Sequence, residues 1–141
     1  MKNYTSRMPV TESVEKIITA LKTTGAFAVS EWVQGTPPVF ITCNIPTDKG
    51  AIGTYKFAPD VKVVLATLTG SDEKKKAQAE ITAWKSMLDF ILIQCDRIAL
   101  KQSTPMGAFM EFIYYPQQGI TLMERLKLPA NEAMASRLLT G

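Results

Sequence analysis

The chain contains no histidine, and this absence excludes more than any residue present indicates. Without an imidazole there is no Ser-His-Asp or Cys-His nucleophilic machinery in its usual form. HExxH motifs and Cys/His zinc sites go with it. Cysteine is nearly as scarce. Cys43 and Cys95 stand far apart, so neither a metal cluster nor a disulfide framework is indicated, and two reduced thiols are expected. A long hydrophobic run is also missing. Met1 to Met8 is polar, and the longest apolar stretch, Met87 to Ile93, is broken by Asp89. That is far too short to span a bilayer, so no membrane partner and a cytoplasmic location are expected. A phosphate-cradling loop has no support. Gly50 and Gly53 form only a GxxG without a following Lys-Ser/Thr, which reads as turn geometry. Nor is there a large excess of one charge. The net charge of +3 permits nucleic acid without indicating it.

What is present is a foldable chain. Its 141 residues are 46% apolar and 21% charged, enough apolar surface for one folded domain and too much for disorder. The expected domain spans residues 1–141, with flexible ends over about 1–8 and 130–141.

Hydrophobic periodicity lays out the elements. A first helix is expected from Glu12 to Thr23, capped by Thr11, with Val14, Ile17, Ile18 and Leu21 on one stripe and Gly25 ending it. Three strands follow, Ala26 to Val33, Val39 to Ile45 and Ala51 to Phe57, separated by Gly/Pro turns. In the first, Phe27, Val29 and Val33 are expected on one side. In the second, Val39, Ile41, Cys43 and Ile45 line one face and Phe40, Thr42 and Asn44 the other. Val61 to Leu68 reads as a short helix.

The firmest local feature is a long helix beginning after Ser71 and running without Gly or Pro to about Lys101. Ala77, Ile81, Trp84, Leu88, Ile91, Cys95 and Ile98 recur at alternating spacings of four and three, a heptad seam. Ala83, Met87, Phe90, Leu92 and Ile93 widen the stripe, so more than one side of the helix is expected to be covered. At about 1.5 Å per residue such a helix crosses an entire domain of this size. Its second apolar side raises the expectation of a homodimer, with Trp84, Leu88, Ile91 and Cys95 as candidate interface residues. Further helices are expected over Met106 to Tyr115 and over Thr121 to Lys127, with a turn at Pro116 to Gly119, and Asn131 to Leu139 is expected to form a terminal helix or to fray.

The segments SVEKIITALKTTGA, VFITCNIP, GTYKF, QAEITAWKSMLDFILIQ and EFIYYPQQGITLMERL, taken in this order, resemble a set of small uncharacterised bacteriophage and prophage proteins. The pattern is a helix ending near Gly-Ala, a β-meander, a long helix with an Ala-Trp-basic triplet and a downstream Gln, and a Pro-x-x-Gly-x-Thr-Leu turn. Ala83, Trp84, Lys85, Gln94, Pro116, Gly119, Thr121 and Leu122 occupy those positions. The resemblance implies a phage setting and an α+β fold, and no reaction.

Two polar constellations remain. Lys85 and Asp89 lie one helical turn apart and, with Gln94, form a candidate polar or ligand site beside Trp84. Tyr4, Trp32 and Tyr55 are candidate stacking platforms, with Lys56 among the candidate nucleic-acid contacts. Tyr55 and Lys56 alternate along a strand, so only one can face a bound strand of bases. The carboxylates are scattered singly. The pair Asp89 and Asp96 is too loose for acid/base work, and no Asp-x-Asp spacing suggests a metal.

The expectation is thus an α+β domain, a three-stranded antiparallel sheet packed on one long helix with additional short helices. No enzyme activity, catalytic residue, metal or cofactor is expected. The anticipated role is a phage-type binding or assembly protein acting through protein contacts, including inhibition of a host protein. The alternative is a binder of single-stranded nucleic acid or nucleotides.

Overall fold

The antiparallel meander is the centre of the computed structural model, which describes residues 6–34, 38–47, 49–68 and 72–126. Strands β1 (Phe27–Val33), β2 (Pro38–Pro46) and β3 (Ile52–Phe57) form one sheet in the order β1-β2-β3. On the central strand the alternation holds. Ile41, Cys43 and Ile45 are buried, while Phe40, Thr42 and Asn44 occupy the opposite face and are only partly covered. Val39, expected on the buried face, is exposed.

Edge strand β1 departs from the expected pattern. Phe27 and Val33 are exposed, and only Val29 packs on the core. Two irregularities break the two-residue alternation: the register shifts between Phe27 and Ser30, where Ala28 has φ +52, and again between Trp32 and Val33.

Helix α1 (Val10–Thr23) begins earlier than its polar residues suggest. Pro9 takes the N-cap position, Thr11 is exposed and makes no cap, and Val10 is buried. Val10 extends the stripe of Val14, Ile17 and Leu21, so apolar burial sets the start of this helix rather than a hydroxyl cap. Its end is as expected. Gly25 adopts φ +93, its N–H donates to Lys22 O and that of Ala26 to Leu21 O, closing the helix in a left-handed turn.

Helix α2 (Val61–Thr67) is capped by Asp60, which accepts from the Val63 N–H at 3.2 Å. Helix α3 (Asp72–Ala99) has 28 residues and at about 1.5 Å per residue runs roughly 42 Å. Ser71, the expected cap, and 131–139, expected as a terminal helix or a frayed end, lie outside the described residues.

One side of α3 packs with α1 and the sheet in the main core. On another, Ala79 and Ala83 pack against Val64 of α2. Helices of the same chain therefore cover both sides of its first half. Trp84, Leu88, Ile91 and Cys95 belong to the main core with Val14, Ile17 and Leu21. Leu88 is 1% exposed. The seam read as a candidate interface is intramolecular core.

Past α3, the helix expected over Met106 to Tyr115 is broken into pieces. Helix α4 (Pro105–Ala108) is one turn, followed by a 3₁₀ turn at Met110–Phe112. Tyr114–Tyr115 (β4) then pairs with Ile120–Thr121 (β5) around Gly119, whose φ is +69. The run Phe112, Ile113, Tyr114, Tyr115 is aromatic and β-branched, types that fit a ribbon better than a helix. A bridge from Ile113 to Tyr55 fixes this ribbon to the β3 edge. Phe109 is buried edge-on against Phe57, centroids 5.3 Å apart. Helix α5 (Leu122–Leu126) starts from a reciprocal cap. The Glu124 N–H donates to Thr121 Oγ1 at 3.2 Å, and the Thr121 N–H to Glu124 Oε1 at 3.0 Å.

Candidate functional site

Helices α1 and α3 lie under one face of the sheet. Trp32, Phe40, Thr42, Asn44, Thr54 and Lys56 lie on the other. Strand pairing places Trp32 opposite Phe40, Thr42 between Ser30 and Lys56, and Asn44 between Phe27 and Thr54.

The aromatic pair is rigidly held. Trp32 and Phe40 stack with centroids 5.5 Å apart and planes inclined by 20°. The indole Nε1–H donates to Thr42 Oγ1 at 2.9 Å. Even so, Trp32 remains 52% exposed. Indoles that are fixed are usually buried, and those that are exposed usually lack such a partner. The Lys56 ammonium stands 4.4 Å from the Phe40 ring centre and 5.4 Å from that of Tyr114, a double cation–π contact. Arg125 lies over Tyr115 at 5.0 Å, so the ribbon adds a second cation–aromatic pair. On the polar half of this face, Thr54 Oγ1 donates to Asn44 Oδ1 at 2.9 Å.

No family model, curated protein or solved structure matches the chain.

Of the residues singled out for stacking, the structure unites Trp32 and Lys56 through Phe40. Tyr55 is a correction. It is wholly buried, facing the helices beside Cys43 and Phe57, because its parity on β3 is that of the core. Tyr4 lies outside the described residues. Phe40, the link between the two, is visible in the sequence only as an outer-face residue of β2. Counting equal distances outward from position 36 in the sequence would have set it across from Trp32.

The candidate polar site on α3 comes together only as its Lys85–Asp89 pair, without Gln94. Lys85 Nζ meets Asp89 Oδ1 at 2.5 Å, with both side chains about one-fifth exposed. Gln94 instead accepts from Arg97 Nη1 at 3.0 Å. Nine residues at about 100° each place Gln94 roughly half a turn from Lys85.

The thiols lie in the core. Burial pushes Cys43 up to about 12. Cys95 is raised by burial and by the Asp96 carboxylate, while Thr23 opposes the shift. Its Sγ–H donates to Ala20 O at 3.5 Å. At neutral pH both are protonated thiols, poor nucleophiles and poor ligands. Among the described residues no three His, Cys, Asp or Glu side chains gather for a metal ion. No described helix is long and apolar enough to cross a membrane.

An open groove of about 1020 Å³ adjoins Lys56, between α2, α3 and the β4–β5 ribbon. Lys62 and Lys76 line it, but so do Asp60, Glu80, Glu111 and Glu124. Its mixed charge makes it a poor track for a polyanion.

Proposed function

We propose that this chain is a non-enzymatic binding module whose outward sheet face takes single-stranded nucleic acid by base stacking. The observation that carries this is Trp32, half-exposed yet held in place by Phe40 and Thr42. An indole already fixed loses little freedom when a base stacks on it. Each base on such a ring is worth about 1–3 kcal/mol. Lys56, poised over Phe40, supplies a cation within reach of a phosphate. Such a contact makes affinity fall with salt, by a slope of about 0.7 per phosphate on a single strand.

The test is fluorescence anisotropy of a labelled short oligo(dT) at low salt. Trp32→Ala is expected to weaken binding by about fivefold or more. Lys56→Ala is expected to flatten the salt slope by about 0.7. Equal binding by the wild type and Trp32→Ala contradicts the proposal.

A second reading, association through protein contacts, is favoured by a different surface. Leu92, Ile93 and Leu100 are exposed on and just beyond the second half of α3, with Ile93 57% exposed. Ile93 and Leu100 are seven residues apart and share a side. A homodimer or a protein partner would use this patch and not the buried seam. Light scattering of the wild type and Ile93→Glu separates the cases: a dimer lost in the variant favours this reading, and a monomer throughout removes the homodimer.

A further inference from the structure

We infer that the β4–β5 ribbon belongs to the nucleic-acid face, with Tyr114 as a second stacking position, so that a bound single strand crosses the sheet from β1 to β4 and does not run along β2. This rests on the proposed base-stacking role of Trp32.

Strand parity brings Tyr114 to this face. Ile113 bridges Tyr55 in antiparallel fashion. Tyr55 is wholly buried on the helix-facing side, and Ile113, level with it, packs on the main core. The next residue, Tyr114, therefore takes the opposite side of the sheet, the side of Thr54 and Lys56. The ring contact agrees, since the Lys56 ammonium stands 5.4 Å from the centre of Tyr114. Pairing with Thr121 holds β4 from its other edge.

The result is a row across four strands: Trp32 on β1, Phe40 on β2, Lys56 on β3 and Tyr114 on β4. Neighbouring strands lie about 4.8 Å apart, so the two ends of the row are separated by roughly 14 Å.

The members of the row differ in what they can offer. Phe40 has Trp32 on its β1 flank and the Lys56 ammonium on its β3 flank, so it supports both and takes no base. Trp32 and Tyr114 are the rings at the two ends. Trp32 is half-exposed, and Tyr114 is only partly covered. Lys56 lies between them and is the only charge in the row. The order of ring, cation and ring matches the base, phosphate and base of one strand, since stacking rings and a cationic backbone track are what single strands bind. A path along β2 meets Thr42 and Asn44 after Phe40, neither a ring nor a cation. At the far end of the row Glu124 accepts from the Thr121 N–H and hydroxyl, both at 3.0 Å. Its charge favours a phosphate at Lys56 over one beyond Tyr114.

The experiment titrates the full chain with oligo(dT) and with oligo(U) at low salt, and the comparison is made in whichever binds. Tyr114→Leu keeps an apolar side chain in the ribbon and removes the ring. It is expected to weaken binding about fivefold or more, while the tryptophan quenching still reaches the wild-type end point because Trp32 keeps its base. A purely structural role for Tyr114 would disturb that end point too, and such a result counts against the inference. Tyr114→Phe keeps the ring and should bind as the wild type does. In the wild type itself, ultraviolet crosslinking of a bromouracil-substituted strand should mark both Trp32 and Tyr114. Wild-type affinity in a folded Tyr114→Leu variant, or crosslinks at Trp32 with none at Tyr114, overturns the inference and leaves base stacking on Trp32 in place. If neither strand binds, the stacking role itself fails, and the inference with it.

Discussion

The ring of Tyr55 closes over Gly53. A Cβ placed on Gly53 would lie 2.8 Å from Tyr55 Oη and 2.9 Å from the ring edge. Tyr55 cannot yield, because it is fully buried between Phe57 and Phe109. Gly53→Ala is therefore expected to destabilise the fold by about 1–3 kcal/mol through overpacking, read as a lower urea midpoint. Tyr55→Phe keeps the ring and should leave oligonucleotide binding unchanged, since Tyr55 belongs to the helix-facing side.

Leu88 and Ile93 lie on one helix but should behave oppositely. Leu88→Ala removes a buried side chain and is expected to cost about 2–5 kcal/mol. Leu88→Glu should abolish folding outright. Ile93→Glu alters an exposed position and should change the unfolding free energy by no more than about 0.5 kcal/mol. A folded Leu88→Glu variant would show that the seam is not core.

The central strand and the long helix were legible because their apolar residues repeat with the period of the element that buries them. Ile41, Cys43 and Ile45 alternate, and Trp84, Leu88, Ile91 and Cys95 recur every three or four residues. Whether the α3 seam meets the same chain or a second copy could not be read, since the periodicity is identical in both cases. Packing of α1 and of α2 on different sides of α3 decides it. The irregularity at Ala28 left no trace, as alanine does not signal a positive φ. The segment after Pro105 misled because aromatic residues three or four apart satisfy a helical count while preferring a ribbon. At the candidate site Trp32 and Lys56 were legible as residue types, but their union through Phe40 depends on strand register.

The Cys43 thiol couples stability to alkaline pH. Burial raises it from 9.0 to about 12. Below pH 9 both folded and unfolded chains hold the proton, and its contribution is intact. Between 9 and about 12 the unfolded chain releases the proton while the folded chain keeps it, so stability falls. The limit is about 1.4 kcal/mol per pH unit. The urea midpoint should drop between about pH 8 and about pH 10, and drop less in Cys43→Ala. By the same burial, a thiol reagent at neutral pH should label the chain only once it is unfolded.

Base stacking on the Trp32–Phe40 face, as proposed, is tested most directly by tryptophan fluorescence of the full chain. Of the two tryptophans, Trp84 is buried and Trp32 is exposed, so the ligand-dependent signal reports on Trp32. Titration with short oligo(dT) at low salt should quench the emission to saturation. High salt should reverse the quenching, and Trp32→Phe should lose the signal. An emission spectrum unmoved by oligo(dT) or oligo(U) at low salt would contradict the account.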